Sequence, residues 1–183
     1  MTEGADVSFV HLGITIEHLR NSISIGGFEI AFYGIIIGIG MLAGLYMAQK
    51  DARRRGQDPE LYLDFALYAI IFSIIGARLY YVIFDWELYR DNPIEIFNLR
   101  GGGLAIYGGI IGAVLTLIVF TKVRKVSFFS MADTGCIGLI TGQIIGRWGN
   151  FFNCEAFGGY TDSLLAMRLK MSLVNPSMIS QEL

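Results

Sequence analysis

The sequence predicts an all-α fold: a polytopic integral membrane helical bundle with about four transmembrane helices and its N-terminus outside. Two observations carry this prediction. Of the 183 residues, 54% are hydrophobic and 16% are charged, whereas soluble domains carry about 25% charged residues. The apolar residues also form four long runs, near residues 30–48, 65–84, 104–121 and 128–145, and a helix needs about 20 mostly apolar residues to cross a bilayer. Residues 1–183 are therefore expected to form a single membrane domain.

The four runs are expected to be helices that cross the membrane in alternating directions. None alternates strictly between polar and apolar residues, so a barrel is not indicated, and helices also satisfy backbone groups in lipid. The first and third runs are followed by the basic segments QKDARRRGQD and TKVRKVS, which the positive-inside tendency places in the cytoplasm. The N-terminus, residues 85–103 and everything after Ile145 then face outward. The acidic start MTEGAD lacks a basic n-region, so no cleaved signal peptide is expected.

Glycines recur four residues apart in the first, third and fourth runs. The pairs are Gly34/Gly38, Gly40/Gly44, Gly108/Gly112, Gly138/Gly142 and Gly142/Gly146. Small residues at this spacing let two helix backbones approach closely in lipid, so the pairs predict helix packing. The run of glycines at residues 101–103, just before the third span, instead predicts a flexible or tightly turned re-entry segment that lines a polar cavity.

Arg78 lies inside the second run, about six residues before its outer end. An ionisable residue within a span is usually functional or paired, and the neighbouring glycine in GARLYY permits close packing. We therefore expect Arg78 to have a functional role. Extension of its side chain toward the outer interface is the alternative.

Polar side chains are dense in GRWGNFFNCEAFGG, directly after the fourth run. On a continuing helix, Arg147, Asn150 and Cys154 would share a face. If Gly149 and the following aromatic residues end the helix, the asparagine amides and Glu155 would surround the arginine instead. In both cases a guanidinium fork is suited to phosphate. The alternative is an interfacial anchor within an aromatic belt, which needs neither asparagines nor a glutamate.

Metal, cofactor and nucleic-acid chemistry are not indicated. Cys136, Cys154 and two histidines fit neither a metal-ligand spacing nor a disulfide framework, so no metal and no cofactor are expected. GIGMLAG and GGGLAIYGG lack the preceding strand that a nucleotide-binding loop requires. The net charge of −2 gives no indication of a nucleic-acid partner.

The polar segment resembles a family signature. GRWGNFFNCEAFG is similar to the pattern of the prolipoprotein diacylglyceryl transferase family, roughly G-R-x-G-N-F-x-N-x-E-x-x-G. The residues in register are Arg147, Asn150, Asn153, Glu155 and Gly158. Three further stretches resemble the family in the same order: FYGIIIGIG with Tyr33, GARLYYV with Arg78, and RGGGLAIYGGIIGA with Tyr107. The resemblance covers nearly all of residues 28–160.

The resemblance implies an enzyme of the bacterial plasma (inner) membrane with its active site toward the outer face. It would move the diacylglyceryl group of phosphatidylglycerol onto the lipobox cysteine of a prolipoprotein, the first step of lipoprotein maturation. The nucleophile is then the substrate's thiol, which agrees with the lack of a Ser-His or Cys-His pair in the sequence. The implied catalytic residues are Arg147, Tyr107, Asn150 and Glu155, and the implied substrate-binding residues are Arg147, Arg78, Tyr33, Asn153 and Gly158.

Two departures from the family pattern shape the expectation. Many members carry histidine where this chain has Tyr107; tyrosine, with a reference pKa near 10, is a poorer base, so Tyr107 is expected to position the headgroup. Family members also continue through several more spans and a further essential arginine, whereas this chain ends at the polar stretch NPSMISQEL. We expect a fragment that is inactive alone. A small transporter or channel, and a non-catalytic membrane assembly subunit, are the alternative functions.

Overall fold

Four long helices form the main part of the chain in a computed structural model, which describes residues 5–99 and 102–174. They are α1 (Phe32–Arg54), α2 (Glu60–Phe84), α3 (Ile106–Arg124) and α4 (Phe128–Phe152). Each is long and apolar enough to cross a membrane, which confirms the all-α prediction and makes this a multi-pass membrane protein. Each helix extends beyond its predicted span at one end, α2 at its N-terminal end and the others at their C-terminal ends, while α1 and α3 begin two residues later than predicted. In α1, α2 and α3 the added residues include Gln, Lys, Arg and Glu, which are good helix formers outside the hydrocarbon core.

The chain divides into two compact units. The first comprises Met1–Ala43 and Ile140–Leu183, and the second comprises Gly44–Leu139. Helices α1 and α4 each have one part in either unit. The prediction of a single membrane domain stays a prediction.

Short strands in the first unit add to the helices. Strand β1 (Val7–Phe9) pairs antiparallel with β2 (Ile14–Ile16) and β5 (Met167–Leu169) in the order β2-β1-β5. A hairpin of β3 (Ser22–Ile25) and β4 (Phe28–Ala31) leads directly into α1. The span analysis did not predict these strands. The hairpin did have a sequence signal, because SISI and FEIA flank a Gly-Gly pair, and both glycines adopt the positive φ of a two-residue hairpin turn, +59° and +87°.

Asp6 connects the three strands of the first sheet. Its backbone N–H donates to the Ile16 carbonyl (2.9 Å), and its own carbonyl accepts the Lys170 N–H (3.0 Å). Its carboxylate accepts the Leu19 N–H at 3.0 Å and lies 3.3 Å from the Lys170 ammonium. The bond from Leu19, together with the Lys170 charge, holds the pKa of the Asp6 carboxyl below its ordinary value.

Glycine contacts hold helices together within each unit. In the second unit, a Cβ on Gly76 of α2 would fall on the Gly108 carbonyl of α3, and a Cβ on Gly112 would fall on the Phe72 carbonyl. The backbones of α2 and α3 therefore touch, as the Gly108/Gly112 pair predicts.

Glycines also allow close backbone contact between α1 and α4 within each unit. A Cβ on Gly138 would fall on the Gly44 carbonyl in the second unit, and a Cβ on Gly40 would lie 3.1 Å from the Gly142 carbonyl oxygen in the first. Gly34 and Gly38 have no atom within 4 Å of a Cβ position. Within the described part of the chain, packing at that pair is not observed.

Candidate active site

Helix α4 carries the polar segment to its C-terminal end. The helix continues through Gly149 and ends at Phe152, so Gly149 does not end it, and Cys154 lies beyond it. Arg147 and Asn150 are three residues apart and share a helix face. The first alternative is thus correct for Arg147 and Asn150 and wrong for Cys154. In the second, the helix does end at the aromatic residues, but within the described residues no asparagine or glutamate side chain bonds to the Arg147 guanidinium.

This turn is a Schellman cap. The Glu155 N–H donates to the Asn150 carbonyl (3.0 Å), and the Cys154 N–H donates to the Phe151 carbonyl (3.2 Å). Cys154 has φ +50°, the left-handed conformation that this position requires. Glycine is the usual residue there, and another L-residue costs about 1 kcal/mol.

Cys154 is a structural residue of the cap. Its side chain is buried, with 4% of its surface exposed. Burial, with a further contribution from the negative charge of Asp6, raises the pKa of the Cys154 thiol. A buried thiol with a raised pKa is a poor nucleophile.

The cap gathers three of the polar residues predicted from the sequence. In a Schellman motif, the outer of the two hydrogen bonds spans six residues, and the residues at its two ends commonly make a hydrophobic contact. In this cap those two positions are occupied by the polar residues Asn150 and Glu155. The Asn153 side-chain amide donates to the Glu155 carboxylate at 3.4 Å. All three side chains are half-buried. Helix termination thus brings two amides and a carboxylate to the last turn of α4.

Arg147 lies one turn before this cap with its side chain exposed. Among residues 5–99 and 102–174, no side chain or carbonyl hydrogen-bonds or ion-pairs with its guanidinium. The aromatic belt of the anchor alternative is also present: Trp148 and Phe151 lie edge-to-face with centroids 6.2 Å apart. The five N–H donors of a guanidinium are nevertheless more than an anchor uses.

Tyr33 lies against the same turn of α4. A Cβ on Gly149 would come 2.9 Å from Cδ2 of the Tyr33 ring. Next to it, the Phe32 and Phe152 rings pack with centroids 5.5 Å apart. The start of α1 and the end of α4 are therefore in contact within the first unit. Gly158, the last predicted site residue of this unit, is exposed and has no atom within 4 Å of a Cβ position.

Arg78, in the second unit, is buried with 6% of its surface exposed. Its guanidinium donates only to backbone carbonyls: Nε to Ile96 (2.8 Å), Nη1 to Gly102 (2.8 Å) and Gly103 (2.9 Å), and Nη2 to Glu95 (2.6 Å) and Asn98 (3.1 Å). These bonds use all five N–H groups of the side chain. The Tyr89 ring covers the guanidinium at 5.0 Å. The side chain is therefore paired with the backbone of the loop before α3, and both the snorkelling alternative and the predicted role in substrate binding stay predictions.

Tyr107 is also in the second unit, as the second residue of α3. Its side chain is 72% exposed, and its ring lies 6.5 Å from the Tyr80 ring, centroid to centroid. Its expected role in positioning the headgroup stays a prediction. Of the glycine run at residues 101–103, Gly101 lies outside the described residues; Gly102 and Gly103 turn with φ of +86° and +76° and direct their carbonyls at Arg78.

Comparisons with known proteins agree with the sequence resemblance. A family model described as prolipoprotein diacylglyceryl transferase matches residues 20–181. A phosphatidylglycerol–prolipoprotein diacylglyceryl transferase of Bacillus cytotoxicus is 50% identical over 148 residues, which are 81% of this chain and 55% of the relative. Proteins of the same name from Bacillus cereus and Bacillus anthracis are 50% identical over 147 residues, 80% of this chain and 54% of each relative.

The chain spans about half the length of the curated relatives it matches. The matched residues include α1 to α4 and the capped polar segment that follows them. Since the family match extends over most of the sequence, the chain belongs to the prolipoprotein diacylglyceryl transferase family.

Proposed function

We propose that this chain forms part of a phosphatidylglycerol–prolipoprotein diacylglyceryl transferase and holds the phosphate of the lipid donor at Arg147. The observation that carries the proposal is the exposed guanidinium of Arg147, without a partner in the described part of the chain and one helical turn from the amides and carboxylate of the cap. A planar guanidinium can bind phosphate oxygens through two parallel hydrogen bonds, which a point charge cannot do.

During the proposed reaction, negative charge develops on the phosphate group that Arg147 is proposed to bind. The thiolate of the lipobox cysteine attacks the carbon of the diacylglyceryl unit that is bonded to the phosphate ester oxygen. A C–S bond forms, the C–O bond breaks, and glycerol 1-phosphate leaves with the bonding electrons. Negative charge grows on the phosphate ester oxygen, and prearranged donors at such a position stabilise the transition state. The proton of the thiol, whose ordinary pKa is about 8.5, must pass to a base before or during attack.

The remaining residues of the first unit have supporting roles in this proposal. Asn150 and Asn153 donate amide hydrogens to the glycerol headgroup, and Glu155 orients Asn153 through the bond between their side chains. Tyr33 positions the headgroup from the α1 side. The open space at Gly158, where a Cβ would meet no atom within 4 Å, lets the lipid approach the backbone. For Tyr107, which is in the second unit, the proposed role is a hydrogen bond to a lipid headgroup.

The proposed location is the bacterial plasma (inner) membrane, with the active site toward the outer face. The Lys and Arg residues after α1 and α3 favour this orientation. The exposed Trp148 beside Arg147 is typical of a headgroup-level position, since tryptophan is enriched at membrane interfaces. The proposed partners are phosphatidylglycerol and the signal peptides of prolipoproteins that carry a lipobox cysteine.

A transfer assay tests the proposal against a transporter and against a non-catalytic subunit. Membranes come from a strain that lacks its own transferase and expresses the gene that encodes this chain. They receive phosphatidylglycerol labelled in its acyl chains and a lipobox peptide, with a Cys→Ser peptide as the matched control. We expect label on the cysteine peptide only, with equimolar release of glycerol 1-phosphate. Label that crosses the membrane without transfer would indicate a transporter, and transfer that needs a second added protein would indicate a subunit.

A further inference from the structure

We infer that Arg78 is a positioning residue: it fixes the loop that leads into α3, and it does not bind the lipid phosphate. This inference rests on the proposed function, because the residue whose position it sets is Tyr107. The five carbonyls of Glu95, Ile96, Asn98, Gly102 and Gly103, here called the carbonyl ring, converge on its guanidinium.

The carbonyl ring leaves no donor for a phosphate. Each of the five N–H groups already donates to one carbonyl at 2.6–3.1 Å. A phosphate could bond to Arg78 only by displacing backbone carbonyls, each of which would lose a hydrogen bond from a charged donor. The Tyr89 ring further covers the guanidinium at 5.0 Å. Arg147, by contrast, is exposed.

The ring fixes the start of α3 relative to α2. Arg78 is on α2, and its neighbour Ala77 accepts the backbone N–H of Ala105 at 3.1 Å. Ala105 is the N-cap residue of α3, and Tyr107 follows two residues later. The side chain of Arg78 thus holds the carbonyl ring, and the backbone of Ala77 holds Ala105. One turn of α2 therefore fixes the chain just before Tyr107.

Lysine cannot replace Arg78 in this role. Its ammonium has three donors on a single atom, whereas the ring presents five carbonyls around a planar fork. If Arg78 acted only as a positive charge that attracts the lipid, lysine would serve. The Arg78→Lys variant therefore separates positioning from charge.

Gly102 and Gly103 provide a matched pair of variants. Both have positive φ, +86° and +76°, so alanine at either introduces a similar backbone strain. A Cβ on Gly103 would fall on Nη1 of Arg78 and lie 3.1 Å from Cδ1 of Tyr81, whereas a Cβ on Gly102 meets no atom within 4 Å. Only Gly103→Ala should displace the guanidinium. The difference between the two variants therefore measures the effect of the carbonyl ring separately from that of backbone strain.

The test combines amide hydrogen exchange with transfer kinetics on the full gene product in detergent. Exchange is followed by mass spectrometry at residues 95–99 and 105, without phosphatidylglycerol. We expect Arg78→Lys and Gly103→Ala to speed exchange there by about ten- to a hundredfold, and Gly102→Ala to do so about tenfold less. The exchange of α1 and α4 serves as the folding control. In the transfer assay, kcat should fall about tenfold or more, while KM for phosphatidylglycerol changes by less than about threefold.

Two results overturn the inference. One is unchanged exchange at residues 95–99 and 105 in both Arg78→Lys and Gly103→Ala. The other is a rise of about tenfold or more in KM for phosphatidylglycerol in Arg78→Lys, which would identify Arg78 as a phosphate ligand. If Arg78→Lys fails to fold, the comparison of Gly103→Ala with Gly102→Ala decides. If the unmodified protein transfers nothing, the proposed function fails, while the exchange measurements still decide whether Arg78 holds the loop.

Discussion

Tyr33 of α1 packs its ring directly against Gly149 of α4, where a Cβ would lie 2.9 Å from Cδ2 of the ring. Gly149 lies between Arg147 and Asn150 in the sequence, so this contact sets how closely α1 can approach the helical turn that carries both polar residues. The glycine within the R-x-G-N pattern thus has a physical reason. Any larger side chain would occupy the space that the Tyr33 ring fills.

The first prediction is that Gly149→Ala destabilises the protein. Separations under 3 Å force a neighbour to move, and overpacking of this kind costs about 1–3 kcal/mol. The matched control is Gly135→Ala on the same helix, where a Cβ meets no atom within 4 Å. Thermal unfolding in detergent should show a lower Tm for Gly149→Ala and no loss for Gly135→Ala.

A second variant identifies the atoms responsible. If the Tyr33 ring is the obstacle, Tyr33→Ala combined with Gly149→Ala should unfold at nearly the same temperature as Tyr33→Ala alone. If the double variant instead loses the sum of the two single-variant losses, Gly149→Ala acts through some other contact.

Tyr107 is the subject of the second prediction. Its side chain is 72% exposed, so substitutions should leave Tm nearly unchanged and act on transfer alone. Tyr107→Phe removes the hydroxyl and should reduce the transfer rate, while Tyr107→His should retain much of it, because imidazole can also hydrogen-bond to a headgroup. Full activity in Tyr107→Phe would mean that only the ring matters.

The third prediction concerns acid and the sheet of the first unit. The Leu19 N–H and the Lys170 charge lower the pKa of the Asp6 carboxyl in the folded protein. A lowered carboxyl pKa contributes stability above its unfolded value, near 3.9, and the contribution is lost as pH falls through the folded pKa. Asp6→Asn should therefore lower Tm at pH 7, and the difference from the unmodified protein should shrink as pH falls below the unfolded value of about 3.9.

Asp91→Asn is the control for this pH series, because its carboxylate is 86% exposed and lies 3.6 Å from the Arg90 guanidinium. It should change Tm little at any pH. A difference between Asp6→Asn and the unmodified protein that persists undiminished to pH 2 would show that the ionised carboxylate is not what stabilises the sheet.

Membrane orientation gives the fourth prediction. In a background without Cys136 and Cys154, single cysteines replace Arg54 or Asp91, which are both exposed. An impermeant maleimide on intact cells should label the Asp91 site and not the Arg54 site, because the basic segment after α1 is expected in the cytoplasm. Labelling of the Arg54 site alone would invert the topology.

The sequence predicts the helices well and the loops poorly, and the reason is physical. Apolar runs of about 20 residues have few alternatives to a helix in lipid, so α1 to α4 follow from composition. The strands β1, β2 and β5 are only three residues each, and β1 and β5 pair across a long sequence separation that no local pattern indicates.

The candidate site shows the same division. The identity of its polar residues follows from the signature, but the Schellman cap depends on Cys154 adopting φ +50°, a conformation that glycine normally marks. The carbonyl ring around Arg78 could not be predicted from the sequence either. An arginine in a span indicates a paired or functional residue, yet the partners here are backbone carbonyls, which leave no trace in side-chain identity.

In the proposed function, the planar fork of Arg147 binds the phosphate of the lipid donor, and the Arg147→Lys variant in the transfer assay tests this binding. Since no group in the described residues bonds to this guanidinium, the substitution should leave Tm unchanged, which separates folding from function. Lysine keeps the charge and loses the two parallel hydrogen bonds, so transfer of label to the lipobox peptide should fall by about a hundredfold or more. Near-normal transfer by Arg147→Lys would contradict the account and leave Arg147 as an interfacial anchor.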